Sequence, residues 1–124
     1  MTVLPAPSTH THELPGARFT SLATPSRGST DTSVWLVDLE PGHPGQPHRL
    51  TREEVFVVLS GRAEVSLDGA VTSAGPGDAI VVPPGVPFAL AAEGGEPLRA
   101  VCCLPVGGQG QLPDGKPFTP PWAQ

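Results

Sequence analysis

Closely spaced glycines and prolines are the feature that most restricts how this chain can fold. The sequence contains 15 glycines and 17 prolines among 124 residues. Between them lie short apolar runs at Val34–Leu39, Val55–Leu59, Ala79–Val82 and Leu98–Leu104. Short strands separated by turn residues are typical of barrels and sandwiches, and a sustained 3.6-residue periodicity is absent. The pattern predicts an all-β, antiparallel fold with little helix.

Alternating side chains show which faces of the strands are buried. Trp35 and Val37 share one face of a strand, whereas Asp38 lies on the more polar face. Residues 62–67 alternate in the same way, and Asp68-Gly69 follows them as a two-residue hairpin turn. The sequence therefore predicts half-buried antiparallel pairs in the middle of the chain.

Length and charge exclude several classes of protein. At 124 residues the chain has the size of one domain, which we place at residues 1–124. A net charge of −5 with only seven scattered Lys and Arg residues argues against a nucleic-acid partner. No apolar run approaches the roughly 20 residues that span a bilayer, so we expect no membrane association and a cytoplasmic location. The adjacent Cys102 and Cys103 favour reduced thiols over a disulfide.

The two ends of the chain differ from the middle. Residues 1–15 predict an extended N-terminal arm, residues 19–105 the barrel core, and residues 106–124 a C-terminal tail. The tail contains Phe118 and Trp122, and aromatic rings are rarely left in solvent. We expect both rings to dock on the barrel or on a second subunit.

One glycine-anchored segment resembles the first motif of the cupin family. Gly42, His48, Glu54 and Gly61 stand at the spacing of that motif. The second histidine of the motif is replaced by Leu50.

A second segment resembles the other cupin motif. Gly77, Pro83 and Gly85 match it, whereas Phe88 replaces its histidine and Ala92 its final asparagine. The resemblance implies a small single-domain cupin of the conserved-barrel type, with a jelly-roll antiparallel β-barrel. It also implies a homodimer, because small cupin barrels often pair.

The ligand positions of the family bear on metal binding. The resemblance implies that three histidines and a glutamate would hold Fe, Mn, Ni, Cu or Zn, and only His48 and Glu54 remain in this sequence. Two protein ligands are too few for the usual site, so we predict no stoichiometric metal. The alternative is a divalent metal held by His48, Glu54 and further ligands. The candidates for those further ligands are His10, His12, His43 and Cys102.

Without a metal, His48 and Glu54 remain as candidate catalytic residues. A neutral imidazole can accept a proton near pH 7, and apolar surroundings raise the pKa of a carboxyl group. His48 would be the base, with Glu54 orienting it or serving as the partner acid. The alternative is that the two groups hydrogen-bond to each other as the relic of a lost metal site.

The replaced ligand positions also change the predicted pocket. Leu50 and Phe88 add apolar wall, so the pocket should favour a small apolar or aromatic molecule. The predicted pocket residues are Trp35, Val37, Leu50, Phe56, Val58, Phe88, Leu90 and Cys102. The alternative is that these side chains fill the barrel, as in many small barrels.

Three functions follow from these expectations. The first is a metal-independent proton-transfer enzyme, such as an isomerase, a cyclase or a lyase. The second is a metal-dependent dioxygenase or another cupin oxidoreductase. The third is a non-catalytic module that binds or senses a small molecule.

Overall fold

The computed structural model describes residues 2–124, and almost all of their regular structure is β-strand. The strands are β1 (His12–Leu14), β2 (Ala17–Ala23), β3 (Thr32–Leu39), β4 (Arg49–Leu50), β5 (Glu54–Ser60), β6 (Ala63–Leu67), β7 (Ala70–Ala74), β8 (Ala79–Val82), β9 (Phe88–Ala92), β10 (Leu98–Pro105), β11 (Gly110–Gln111) and β12 (Pro117–Phe118). Within residues 2–124, the helical elements are 3₁₀ turns at Pro25–Arg27 and Pro121–Ala123. None of the helices in this range is long and apolar enough to cross a membrane.

Six strands form one large antiparallel sheet in the order β1-β2-β3-β10-β5-β8. Strand β10 lies at its centre, where Cys102 pairs with Trp35 of β3 on one side and Phe56 of β5 on the other. Because residues paired across a sheet point to the same face, these three side chains enter the core together.

Two three-stranded sheets complete the barrel, in the orders β7-β6-β9 and β12-β11-β4. They meet where His48 pairs with Phe88, through backbone hydrogen bonds of 3.0 and 2.9 Å. The predicted hairpin turn joins β6 to β7, with φ of 50° at Asp68 and 85° at Gly69. Positive φ at both turn residues matches the twist of the flanking strands, which is why this dipeptide suits the position.

Buried side chains from all three sheets form one core, so the expected jelly-roll barrel is confirmed. Trp35, Val37 and Phe56 come from the large sheet, Val65 from a small sheet, and Leu50 from the other. Strand β2 runs from Ala17 to Ala23 and pairs with β1 on one side and β3 on the other.

The outer face of the large sheet carries an uncharged patch across β8, β5 and β10. In register, Val57 pairs with Ala79 and Val101, and Val55 pairs with Val81. We call this set the outer-face patch. Its members are Val55, Val57, Leu59, Ala79, Val81, Val101 and Cys103.

Candidate functional site

A cavity of about 540 Å³ opens inside the barrel, between the large sheet and the strands opposite. The interior is therefore not filled by side chains. All six aromatic residues of the chain border this cavity, four phenylalanines and two tryptophans. They are Phe19, Trp35, Phe56, Phe88, Phe118 and Trp122.

His48 lies on one wall of the cavity, between the loop at residues 41–47 and β4. The loop packs directly on β9, because a side chain at Gly45 would come within 2.6 Å of the Leu90 carbonyl oxygen. The Nδ1–H of His48 donates a hydrogen bond of 2.9 Å to the Gln46 carbonyl oxygen, so the neutral ring keeps a free lone pair on Nε2. Burial lowers the pKa of His48 below its usual 6.5, and the hydrogen bond to Gln46 opposes this shift. His48 is therefore a neutral base at pH 7.

Aromatic rings surround the imidazole. The His48 ring lies 4.3 Å from the Phe88 ring and 6.2 Å from the Phe118 ring, measured between centroids. These contacts and the hydrogen bond from Nδ1 limit the rotation of the imidazole.

Glu54 begins β5 and pairs with Val82 of β8. The residue is buried, and its carboxyl group has no hydrogen-bond partner among residues 2–124. Burial raises the pKa of Glu54 from 4.5 to about 8, so the carboxyl group keeps its proton at pH 7. Since Glu54 borders the cavity, it offers an O–H donor to whatever occupies the space.

The C-terminal tail supplies one wall of the cavity. The rings of Trp122 and Phe19 stack, and the hydroxyl group of Ser21 donates a 2.8 Å hydrogen bond to the Trp122 carbonyl oxygen. The hydroxyl groups of Ser33 and Ser26 bond to the next two carbonyl oxygens of the tail, at 2.6 and 2.8 Å. The expected docking of the tail on the barrel is confirmed.

The sequence model of the cupin domain matches residues 35–104, more than half of the chain. The chain is a member of the cupin-domain family. Among the curated proteins, an uncharacterized protein of Methanocaldococcus jannaschii is 36% identical over 53 residues. That alignment covers 43% of this cupin and 42% of the relative, so the chain spans less than half of the relative's length.

Solved structures share the fold of this cupin. KdgF from a Halomonas species is 25% identical, with a TM-score of 0.68 over 78% of this chain and 86% of that one. The polyketide cyclase RemF from Streptomyces resistomycificus is 22% identical, with a TM-score of 0.68 over 82% and 73% of the two chains. A salicylate 1,2-dioxygenase variant from Pseudoaminobacter salicylatoxidans, in complex with gentisate, is 24% identical, with a TM-score of 0.64 over 73% of this chain and 25% of that one.

Six of the eight predicted pocket residues border the cavity of this cupin. They are Trp35, Val37, Leu50, Phe56, Phe88 and Leu90. Val58 and Cys102 point inward as the alternation predicted, but they lie in the packed core and do not border the cavity. Val58 lies two residues beyond Phe56 in β5, on the same face. Cys102 lies between Trp35 and Phe56 in the central row of the sheet.

The candidate catalytic residues, His48 and Glu54, border the same cavity, but no hydrogen bond joins them within residues 2–124. His48 bonds instead to the Gln46 carbonyl oxygen, and Glu54 has no protein partner. The alternative of a relic pair bonded to itself therefore does not describe this site. The two groups are separately available to a ligand.

Sequence reasoning missed part of the wall. Phe19, His43 and Leu112 border the cavity, and the tail rings were expected to dock without being assigned to a pocket. Alternation within a strand gives the face of each residue, but it cannot say which loop or tail returns to cover the opening. For the tail, the only sequence signal of a role in the wall was the presence of Phe118 and Trp122 in an otherwise polar segment.

The donors in this cupin do not fit the usual metal site. Within residues 2–124, no group of three or more His, Cys, Asp or Glu side chains lies close enough to hold a metal ion. His43 is half-exposed, 3.8 Å from Glu40, whereas His10 bonds to Glu13. His12 bonds to Thr11, and Cys102 is buried in the core. Of these four residues only His43 borders the cavity, and none of them forms a group of three donors with His48 and Glu54 in residues 2–124. We therefore derive no step through a metal.

Proposed function

We propose that this cupin binds a small aromatic carbonyl compound in its cavity and catalyses proton transfer on it without a metal. The observation that supports the proposal is Glu54, a buried carboxyl group without a protein partner at the wall of an aromatic cavity. The Glu54 side-chain oxygens are not among the completely buried, unpaired atoms of residues 2–124, so they are accessible from the cavity. A carboxyl group that faces an open space and has no protein partner is free to hydrogen-bond to a ligand.

In the proposed reaction, His48 is the base. Its Nε2 removes a proton from the carbon next to the carbonyl group, and the electron pair of that C–H bond forms the C=C bond of an enol. The carbonyl oxygen takes the proton of the Glu54 carboxyl group at the same time. The hydrogen bond to Gln46 holds the tautomer of His48 in which Nε2 is free.

The fate of the enol sets the class of reaction. Return of the proton at a different carbon gives an isomerisation. Loss of a leaving group gives an elimination, and attack on a second carbonyl group gives a cyclisation. All three need only a positioned base and an acid that stabilises the oxygen as its charge develops.

The side chains that border the cavity favour an aromatic ligand. Six aromatic rings border the cavity, and Leu50 and Phe88 add apolar surface next to His48. Aromatic pairs prefer offset or edge-to-face contacts that are worth about 0.5–1.5 kcal/mol beyond area burial. The ring of an aromatic carbonyl compound would contact the aromatic walls, and its carbonyl group would face His48 and Glu54.

Hydrogen–deuterium exchange on 2-acetylnaphthalene tests the proposal. In D₂O, proton NMR should show that the protein accelerates loss of the methyl proton signal beside the carbonyl. His48→Ala should reduce this acceleration by roughly 10²–10⁴-fold, the usual contribution of a general base, and Glu54→Gln by less. His43→Ala is the matched control, because it removes the other histidine at the cavity and should leave exchange unchanged.

Other outcomes separate the remaining functions. A ketone that binds without exchanging its protons would favour a binding or sensing module. Exchange that survives in His48→Ala but disappears with a chelator would favour a metal-dependent enzyme and overturn the proposed roles of His48 and Glu54.

A further inference from the structure

Among residues 2–124, the cavity is bordered by no permanently cationic side chain that could pair with an anion. No lysine or arginine borders it within residues 2–124. Its carboxyl groups are those of Glu40 and Glu54, and its imidazoles are those of His43 and His48. His43 is half-exposed and lies beside Glu40, which lowers its value as a partner for another carboxylate. The formal charge of the walls is therefore zero or negative.

An anionic ligand would be poorly solvated in such a cavity. The Nδ1–H of His48 already donates to the Gln46 carbonyl oxygen, so it is not available to the ligand. Glu54 offers at most one O–H donor, and it would repel an anion if it were ionised. A carboxylate buried without a cation or several donors carries a large desolvation cost. The net charge of −5 on the chain also opposes the approach of anions.

A neutral carbonyl group makes smaller demands. It needs one donor, which the protonated Glu54 supplies, and its attached ring contacts the aromatic walls. A cationic ligand would have two carboxyl groups to choose from. Glu40 is half-exposed and already lies 3.7 Å from Arg18 and 3.8 Å from His43, and the surroundings of Glu54 disfavour its charged form.

We infer that the cavity accepts aromatic carbonyl compounds that carry no ionised group and rejects the corresponding carboxylates, so that charge selects the ligand. This inference rests on the proposed function, since it uses the same cavity and the same role of Glu54 as donor. It adds a rule of selection that the proton-transfer chemistry alone does not require.

Three naphthalene probes test the rule, because they share a ring system and differ in charge. Calorimetric titration near pH 7 would compare 2-acetylnaphthalene, 2-naphthoate and 2-naphthylmethylamine. The ketone should bind at least about tenfold more tightly than either ion. Naphthoate binding as tightly as the ketone, or the amine binding more tightly, would overturn the charge rule and leave the cavity as a ligand site. No binding of any probe would overturn the rule and the proposed function together.

A variant at the cavity edge tests whether the lack of a cationic side chain is the reason that carboxylates bind weakly. Leu14 borders the cavity and is 49% exposed, so an arginine there would not have to be buried. Leu14→Arg should raise the affinity for naphthoate by about tenfold and leave the ketone within about twofold. Leu14→Gln is the matched uncharged control, and the two variants should differ by about tenfold in naphthoate affinity and by less than about twofold in ketone affinity. An unchanged naphthoate affinity in Leu14→Arg would overturn the inference.

Discussion

The indole ring of Trp122 lies flat on the phenyl ring of Phe19, with 3.6 Å between ring centroids and 5° between ring planes. One residue is near each end of the chain, and both border the cavity. The stack therefore fixes the tail to the barrel and forms part of the ligand wall at the same time. Stability and ligand affinity should depend on the same contact.

Trp122→Ala should lower the free energy of unfolding by about 2–4 kcal/mol, since it removes a large packed ring. The same change should weaken binding of 2-acetylnaphthalene, because it opens one wall of the cavity. Urea denaturation and calorimetric titration measure the two effects. Trp122→Phe should retain most of both, and wild-type behaviour of the alanine variant would show that the tail is not part of the site.

The rate of proton exchange should have a bell-shaped pH dependence. It should rise as His48 loses its proton, with a pKa that burial lowers below 6.5. It should fall as Glu54 ionises near its raised pKa of about 8. Glu54→Gln should remove the falling limb and keep the rising one, as measured by NMR exchange across pH. A falling limb that persists in Glu54→Gln would assign the acid to another residue.

Glu54 should also make the stability of the protein depend on pH. Its pKa is raised in the folded state, so the unfolded chain ionises first, from about 4.5, and the folded chain only near 8. The contribution of Glu54 to stability is then fully present below the lower value and is lost as pH rises to the upper one, by at most roughly 5 kcal/mol. Urea denaturation at several pH values should show this fall in the wild type and a flatter curve for Glu54→Gln. Equal slopes in both proteins would contradict the buried, protonated state of Glu54.

The expected metal content of the protein depends on the residues at positions 50 and 88. We expect no stoichiometric iron or manganese in the purified protein, because Leu50 and Phe88 cannot act as ligands. The double variant Leu50→His, Phe88→His should gain about one divalent metal per chain, since it places four donors around one cavity. Elemental analysis after expression in metal-supplemented medium measures both. About one tightly bound metal per wild-type chain would revive the metal-dependent alternative.

We also expect this cupin to form a homodimer through the outer-face patch. The chain carries a net charge of −5, so two copies repel each other across most of their surfaces, whereas this patch is uncharged and apolar. Sedimentation at micromolar concentration should give a dimer for the wild type and a monomer for Val57→Asp, at the centre of the patch. Val71→Asp is the control, because Val71 is 67% exposed on another sheet. A wild-type mass of 12.7 kDa would remove the dimer.

Local patterns in the sequence were sufficient for most of the barrel. The Asp68-Gly69 turn, the alternation around Trp35 and the apolar run at Val55 each depend on neighbouring residues alone, and all three match the structure. The cupin resemblance implied that His48 and Glu54 lie on neighbouring strands at the barrel interior, and in the structure both border one cavity.

The depth of the cavity could not be predicted in the same way. Alternation places Val58 and Phe56 on the same face, yet only Phe56 borders the open space. That difference depends on how side chains from distant strands pack around Val58 in the core, which alternation within one strand cannot show. The absence of a hydrogen-bond partner for Glu54 within residues 2–124 also depends on the fold, because any donor brought close to the carboxyl group would have bonded to it.

The collection of all six aromatic residues around one cavity has a spectroscopic consequence. The chain has no tyrosine, so Trp35 and Trp122 account for nearly all of its intrinsic fluorescence, and both report on the same space. Most proteins mix signals from several regions, whereas emission and near-ultraviolet dichroism of this cupin come from the ligand wall. Trp122→Phe would leave Trp35 as a single reporter inside the barrel. Occupancy of the cavity could then be followed in real time without a label.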